Sequence, residues 1–194
     1  MSSELADRRG HLIIVSAPSG AGKTTLIHRA MARLKDLRFS VSATTRPIRQ
    51  GEVDGVDYDF LTYDQFQQGL KNNEFLEYEE VHGNLYGTRI GRVEPLLAAG
   101  QDVVFDLDVL GALRLKELFP DSLLIYIDVS SKELLRERLL ARGREDSGEI
   151  ERRLERYVLE RSRADLFDRV IVNDDLERAT AELIEIIEKF RRDR

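Results

Sequence analysis

Apolar and polar positions alternate along this chain with two different periods. Short continuous apolar runs, Leu12-Ile13-Ile14-Val15, 102–107 (Asp-Val-Val-Phe-Asp-Leu), 122–128 and 170–173, read as strands covered on both faces. Between them, apolar residues recur at helical spacing. Leu26, Ile27, Ala30, Met31 and Leu34 mark one helix, and further helices are predicted over 88–99, 109–118, 131–142 and 150–167. Leu176, Ala179, Leu183, Ile186, Ile187 and Phe190 stripe a closing helix. Buried strands alternating with amphipathic helices require crossover connections, hence a parallel sheet flanked by helices and an α/β fold. The section between is different. Strands at 39–43, 58–61 and 75–81, a polar helix at 63–71 and a turn at 83–87 predict a small insertion, mixed or antiparallel.

The first strand runs into Ala17-Pro18-Ser19-Gly20-Ala21-Gly22-Lys23-Thr24-Thr25 and then into the first helix. In that order, the amides of a glycine loop form an anion nest and the helix N-terminus adds its positive dipole end. Lys23 is placed for β- and γ-phosphates and the Thr24 hydroxyl for Mg²⁺. Ala17 stands where the strict pattern has Gly, a position at which an extended residue suffices. A plain glycine turn joining a core strand to a helix is the rival reading. On a parallel sheet, ligands collect at the carboxyl ends of the strands, where Asp106 and Asp108 also fall.

Composition narrows the field. A chain of 194 residues, 42% hydrophobic and 34% charged, suits one globular domain. The net charge of −6 argues against general nucleic-acid affinity, and no stretch reaches membrane-span length. The chain has no Cys, which removes disulfides and thiolate metal sites and agrees with a cytoplasmic location. His11, His28 and His82 lack any ligand spacing.

The loop is followed by an ordered series: Ser40-Val41-Ser42-Ala43-Thr44-Thr45-Arg46, Gly51-Glu52, Gly55, Tyr58, Glu77, Gly83-Asn84, Tyr86-Gly87-Thr88, Asp106-Leu107-Asp108, Arg142-Gly143 and Asn173-Asp174-Asp175. With these spacings the chain resembles the guanylate kinases over nearly its whole length. The resemblance implies a P-loop kinase fold in a single domain, with a core at 1–39, 89–137 and 154–194, a GMP-binding section at 40–88 and a helical lid at 138–153. It implies reversible transfer of the ATP γ-phosphoryl group to GMP or dGMP, with Mg²⁺. Monomer and homo-oligomer are both compatible with it.

For the acceptor, the resemblance implies Ser42, Arg46, Arg49, Tyr58, Glu77, Tyr86, Thr88 and Asp108. Their chemistry agrees. Guanidinium forks suit a dianionic phosphate, and phenols add hydrogen bonds. An acceptor-only carboxylate at Glu77 takes two bonds from guanine N1–H and its amino group, which adenine does not offer on that edge. For the donor, it implies residues 17–25 with Asn173 on the adenine side, Arg138, Arg142 and Arg153 on the transferring group, and Asp106 holding Mg²⁺ through water. Each residue also has an ordinary role open to it. Arg46 and Arg49 fit solvated loop charges, Glu77 an acidic strand face, and Tyr58 and Tyr86 core aromatics. Asp106 and Asp108 fit helix N-caps, the lid arginines partners for Glu137, Glu149 or Glu155, and Asn173 a turn former.

Three departures stand out: Pro47 directly follows Arg46 with Ile48 in the usual Pro place, Leu110 replaces a frequent Gln, and Leu85 a frequent Tyr. Two other readings stay open. Guanylate-kinase-like modules bind phosphopeptides without catalysis, but lose the ATP loop that is intact here at Gly22-Lys23-Thr24. Related kinases act on AMP, dTMP or a ribose phosphate, a choice that Glu77 should decide.

Overall fold

The computed structural model describes residues 9–81, 83–143 and 146–194. His82 and Arg144 lie outside the described residues, as do the side chains of Val81, Arg142 and Ser147. The chain divides into two compact units. One comprises Arg38–Val103 with the segment up to His11; the other comprises Leu12–Leu37 and Val104–Arg194.

The second of these carries the glycine loop. It supplies all of β1 (Leu12–Ser16), β8 (Leu123–Asp128) and β9 (Arg169–Val172) and most of β7 (Asp102–Leu107) to a sheet that also takes in β2 (Leu37–Phe39), in the order β2-β7-β1-β8-β9. The pairs β1·β8 and β8·β9 are parallel, with Ile13 opposite Leu123 and Ile125 opposite Arg169. Every residue of β1 and β8 is buried, so removal from water stabilises each large apolar side chain there by roughly 1.5–3 kcal/mol. The flanking helices are α1 (Lys23–Arg33), α4 (Val109–Leu118), α5 (Lys132–Arg142), α6 (Ser147–Arg161) and α7 (Leu176–Arg192). Side-chain oxygens of Asp108, Ser131, Asp146 and Asp175 cap α4, α5, α6 and α7. Helix α1 has no such cap: it opens on Gly22 at φ 89° and keeps its first amides for something else.

The other unit is built on short strands, β3 (Ala43–Thr44), β4 (Asp59–Phe60), β5 (Phe75–Val81) and β6 (Asn84–Arg89), ordered β4-β3-β6-β5, with α2 (Tyr63–Lys71) and α3 (Ile90–Ala98). Thr62 and Gln65 close a reciprocal capping box on α2. Its apolar centre is Ala43, Phe66 and Leu85 with Leu61, Leu70 and Phe75, where Phe66 and Phe75 stack with centroids 4.3 Å apart.

Several boundaries differ from expectation. The strand expected at 39–43 is two strands in two sheets, β2 and β3, parted by residues 40–42. The segment 83–87, expected as a turn, lies mostly in β6, which pairs antiparallel with both β3 and β5. Because β3 and β4 are parallel while β6 runs antiparallel to β3 and β5, the insertion is mixed, one of the two forms expected. Thr88 and Arg89 finish β6 before α3 begins, and the helix expected over 150–167 ends at Arg161, followed by a 3-10 turn at Ala164–Leu166.

Candidate functional site

In the loop-bearing unit, Ala17 and Pro18 are buried and Ser19 is exposed. The amide of Ala21 donates to Pro18 O at 3.1 Å, closing the loop on itself. Gly20 and Gly22 sit at φ 99° and 89°, the left-handed region that turns successive amides inward. Lys23 Nζ donates to Leu107 O at 2.9 Å and pairs with Asp106. Thr24 Oγ1 lies 3.2 Å from Asp106 Oδ2, so Asp106 gathers the lysine and the hydroxyl at the open end of α1. Thr25 is exposed on the first turn.

Asp108 takes its ordinary role and a second one. Oδ1 accepts from Gly111 N at 2.8 Å as the cap of α4, while Oδ2 accepts from Arg156 Nη2 at 3.1 Å. Arg156 also reaches Glu160 at 2.7 Å. Glu160 is buried, which pushes its carboxyl above the usual range, with Asp108 adding to the effect and Arg156 and Lys23 opposing it. Sequence reasoning missed both Arg156 and Glu160. They lie far along the chain from Asp108, and on a strongly charged helix nothing local singles them out.

Among the expected lid arginines, Arg153 bonds Ser19 Oγ of the loop and also Glu149 at 2.9 Å, one helical turn away. Arg138 Nη2 lies 3.4 Å from Asp174 O. The Arg142 side chain is outside the described residues. Asn173 is 2% exposed and donates its amide to Ala21 O at 2.6 Å. It is therefore turned onto the loop.

In the short-stranded unit, Arg46 makes a two-pronged pair with Glu52 at 2.8 and 2.9 Å and donates to Pro47 O at 2.8 Å. Its guanidinium carbon lies 5.3 Å from the Tyr58 ring centroid and 5.6 Å from that of Phe60. The Tyr58 and Tyr86 rings meet edge to face at 6.1 Å. Hydrogen bonding to Glu52, and less so to Tyr86, keeps the guanidinium firmly charged. Glu52 Oε2 also accepts from Arg49 N at 2.8 Å, so one carboxylate closes the 46–52 loop across Pro47 and Ile48. The Arg49 side chain is exposed. Sequence reasoning quoted Glu52 but gave it no task.

Glu77 owes its direction to an irregularity. In the β5·β6 register Phe75 opposes Arg89 and Glu77 opposes Thr88, a bulge that absorbs one residue. Phe75 therefore packs into the apolar centre while Glu77 joins Thr88 and Tyr86 on the other face, and Thr88 Oγ1 donates to Glu77 Oε1 at 2.7 Å. A Cβ at Gly87 would lie 2.7 Å from Glu77 O and 3.0 Å from both Phe75 Cδ1 and Tyr78 Cβ, so the bulge requires glycine there. Ser42 is half-buried, and its carbonyl accepts from Asp59 N at 2.9 Å. A cavity of about 780 Å³ in this unit includes Asp59, Glu74, Arg89 and Arg92 in its wall and none of these expected acceptor residues. Its arginines are already paired, Arg92 with Asp59 and Arg89 with Glu74.

A strand, a glycine loop with left-handed turns, an uncapped helix carrying Lys-Thr, and an aspartate at a neighbouring strand end define a P-loop nucleotide phosphotransferase. The family profile described as guanylate kinase matches residues 9–190. The chain belongs to the guanylate kinase family. It is 48% identical over 189 residues to a guanylate kinase of Chlorobium luteolum, covering 97% of this chain and 96% of that one. It is 45% identical over 183 residues to one of Rubrobacter xylanophilus, covering 94% and 96%. The crystal structure of guanylate kinase from Anaplasma phagocytophilum superposes with a TM-score of 0.73 at 28% identity, over 96% of this chain and 88% of that chain. Among the described residues, no helix is long and apolar enough to cross a membrane.

Proposed function

We propose that this chain catalyses ATP + GMP ⇌ ADP + GDP, accepts dGMP as well, and serves purine nucleotide metabolism in the cytoplasm. The observation that carries the reading is the convergence of Lys23 and Thr24 on Asp106 at the uncapped start of α1, in a chain matched by the family almost end to end. Residues 17–25 receive the triphosphate. Arg138, Arg142 and Arg153 of the 138–153 lid and Lys23 spread charge over the transferring group. Section 40–88 takes the acceptor: Arg46 and Arg49 with Tyr58 and Tyr86 hold its phosphate, and Glu77, Ser42 and Thr88 read the guanine edge. Asp108 accepts from the guanine amino group. The nucleophile is a GMP phosphate oxygen that is already anionic, so no side chain need remove a proton.

Thr24 and Asp106 present hard oxygens 3.2 Å apart beside the phosphate nest, a donor set that fits Mg²⁺, with Thr24 as direct ligand and Asp106 acting through water. Held there, Mg²⁺ would supply positive charge against the phosphates during transfer.

An acceptor panel of GMP, dGMP, AMP and dTMP with MgATP, read as ADP formed, tests the proposal. GMP and dGMP should dominate. ADP formation that favours AMP or dTMP overturns the acceptor assignment, and none with any acceptor overturns the enzyme reading.

A further inference from the structure

We infer that Asn173 is a positioning residue for the triphosphate, acting through the Ala21–Gly22 peptide rather than through the adenine base. The inference rests on the reading of 17–25 as the ATP-phosphate cradle. Asn173 follows β9 and is tied to the sheet by its own amide, which donates to Asp128 O at 2.9 Å. From that anchor Nδ2 donates to Ala21 O at 2.6 Å. In a trans peptide the carbonyl and the next N–H lie in one plane and point in opposite directions. Fixing the Ala21 oxygen against the sheet therefore fixes the Gly22 N–H in the reverse direction, toward the loop's own concavity. The same side chain packs so closely that a Cβ at Gly22 would come within 2.5 Å of Nδ2. Asn173 thus holds the peptide by a hydrogen bond and its neighbour by contact, at the residue whose φ of 89° starts α1.

The remainder of the side chain argues against base reading. Asn173 is 2% exposed, and Oδ1 is enclosed with no hydrogen-bond partner in the protein. An amide that gives one N–H to the loop, keeps the other within a residue only 2% exposed, and has its acceptor shut from solvent has no atom to offer a purine edge. An anion nest depends on amides that already point the right way before the ligand arrives, so holding one peptide plane lowers the cost of ordering the loop around phosphate.

The test compares affinity for ATP with that for inorganic tripolyphosphate, both with Mg²⁺, in wild type and N173A. The two ligands share the phosphates and differ in the base. Loss of one buried hydrogen bond should weaken both by the same factor, about tenfold, with KM for GMP unchanged. Loss confined to ATP would show a base contact and overturn the inference, as would unchanged binding of both. N173D, which keeps the shape but sets an accepting oxygen against Ala21 O, covers the case in which N173A does not fold. It should weaken both ligands at least as much, and wild-type affinity for tripolyphosphate in N173D also counts against the inference. If the wild-type chain binds neither ligand, the cradle reading itself fails.

Discussion

In the loop-bearing unit β1 and β8 are buried throughout, and the groups aimed at phosphate are mostly backbone amides set by glycine torsions. In the short-stranded unit β3 and β4 have two residues each, and the groups aimed at a ligand are side chains steadied by one another: Arg46 by Glu52, Glu77 by Thr88, Tyr58 by Tyr86. Backbone amides recognise phosphate whatever base it carries, and they depend on a rigid sheet to stay in place. Side chains recognise a particular base and can be exchanged without dismantling a core. Substitutions in the first unit should therefore change the rate with every acceptor, and those in the second should change which acceptor is used.

The largest effect is expected from Lys23→Met. It removes the one side-chain cation of the loop and leaves the buried sheet untouched, so kcat should fall on the order of 10³-fold with GMP and dGMP alike. Thermal unfolding should stay within a few degrees of wild type. A loss restricted to one acceptor would break the division of labour between the units.

Glu77→Gln tests the other side. In the proposed acceptor site it would exchange an acceptor for a donor opposite guanine N1–H and the amino group, and should cost about 1–3 kcal/mol in kcat/KM for GMP, or roughly 5- to 150-fold. Activity with AMP should hold or rise. An unchanged GMP/AMP ratio would remove Glu77 from base recognition.

Gly87→Ala sharpens the comparison by attacking the backbone of the side-chain unit. The added methyl meets Glu77 O at 2.7 Å, a main-chain atom that cannot swing away. We expect a stability loss of about 1–3 kcal/mol, with Tm falling about 2–4 °C for each kcal/mol in a chain of this size. KM for GMP should rise as the bulge that aims Glu77 is displaced. Wild-type Tm and KM together would mean that the hairpin tolerates a flatter register.

The two units were also unequally legible in the sequence. The loop was readable because its chemistry is local: Gly22, Lys23 and Thr24 are consecutive, and the flanking apolar runs fix strand and helix around them. In the insertion the pattern announces α2 and β5, but its candidate binding residues were readable only through the family series. Asn84 and Gly87 look like turn formers, yet pairing with β3 and β5 holds them in β6, because strand identity is set by neighbours more than by composition. The run 39–43 keeps its alternation across a change of sheet. Arg46 finds Glu52 across a Pro-and-Gly loop, and Arg156 finds Asp108 from another helix, pairings that no helical or strand period announces. Asn173 could be named, but whether its amide faced a base or a loop carbonyl depended on three-dimensional packing.

The smallest effect concerns a charge in the loop-bearing unit that is there at a cost. Burial raises the Glu160 carboxyl, and Asp108 raises it further, while Arg156 and Lys23 only partly compensate. Between the ordinary carboxyl value of 4.5 and the raised one, the folded chain holds this proton more tightly than the unfolded chain. Stability from this group is thus fully present in acid and declines as pH rises through that window. Glu160→Gln removes the ionisation but keeps the shape, so its Tm should exceed wild type slightly at neutral pH, by about 1–3 °C. The gap should shrink as the buffer is acidified through the raised carboxyl toward its ordinary value, because more of the wild-type Glu160 then carries its proton. The Arg156 side chain is 63% exposed, so solvent screens its pull on Glu160. A variant less stable than wild type at neutral pH would show that this screened pair outweighs desolvation, making ion pairing as supportive here as Arg46 with Glu52 is in the acceptor loop.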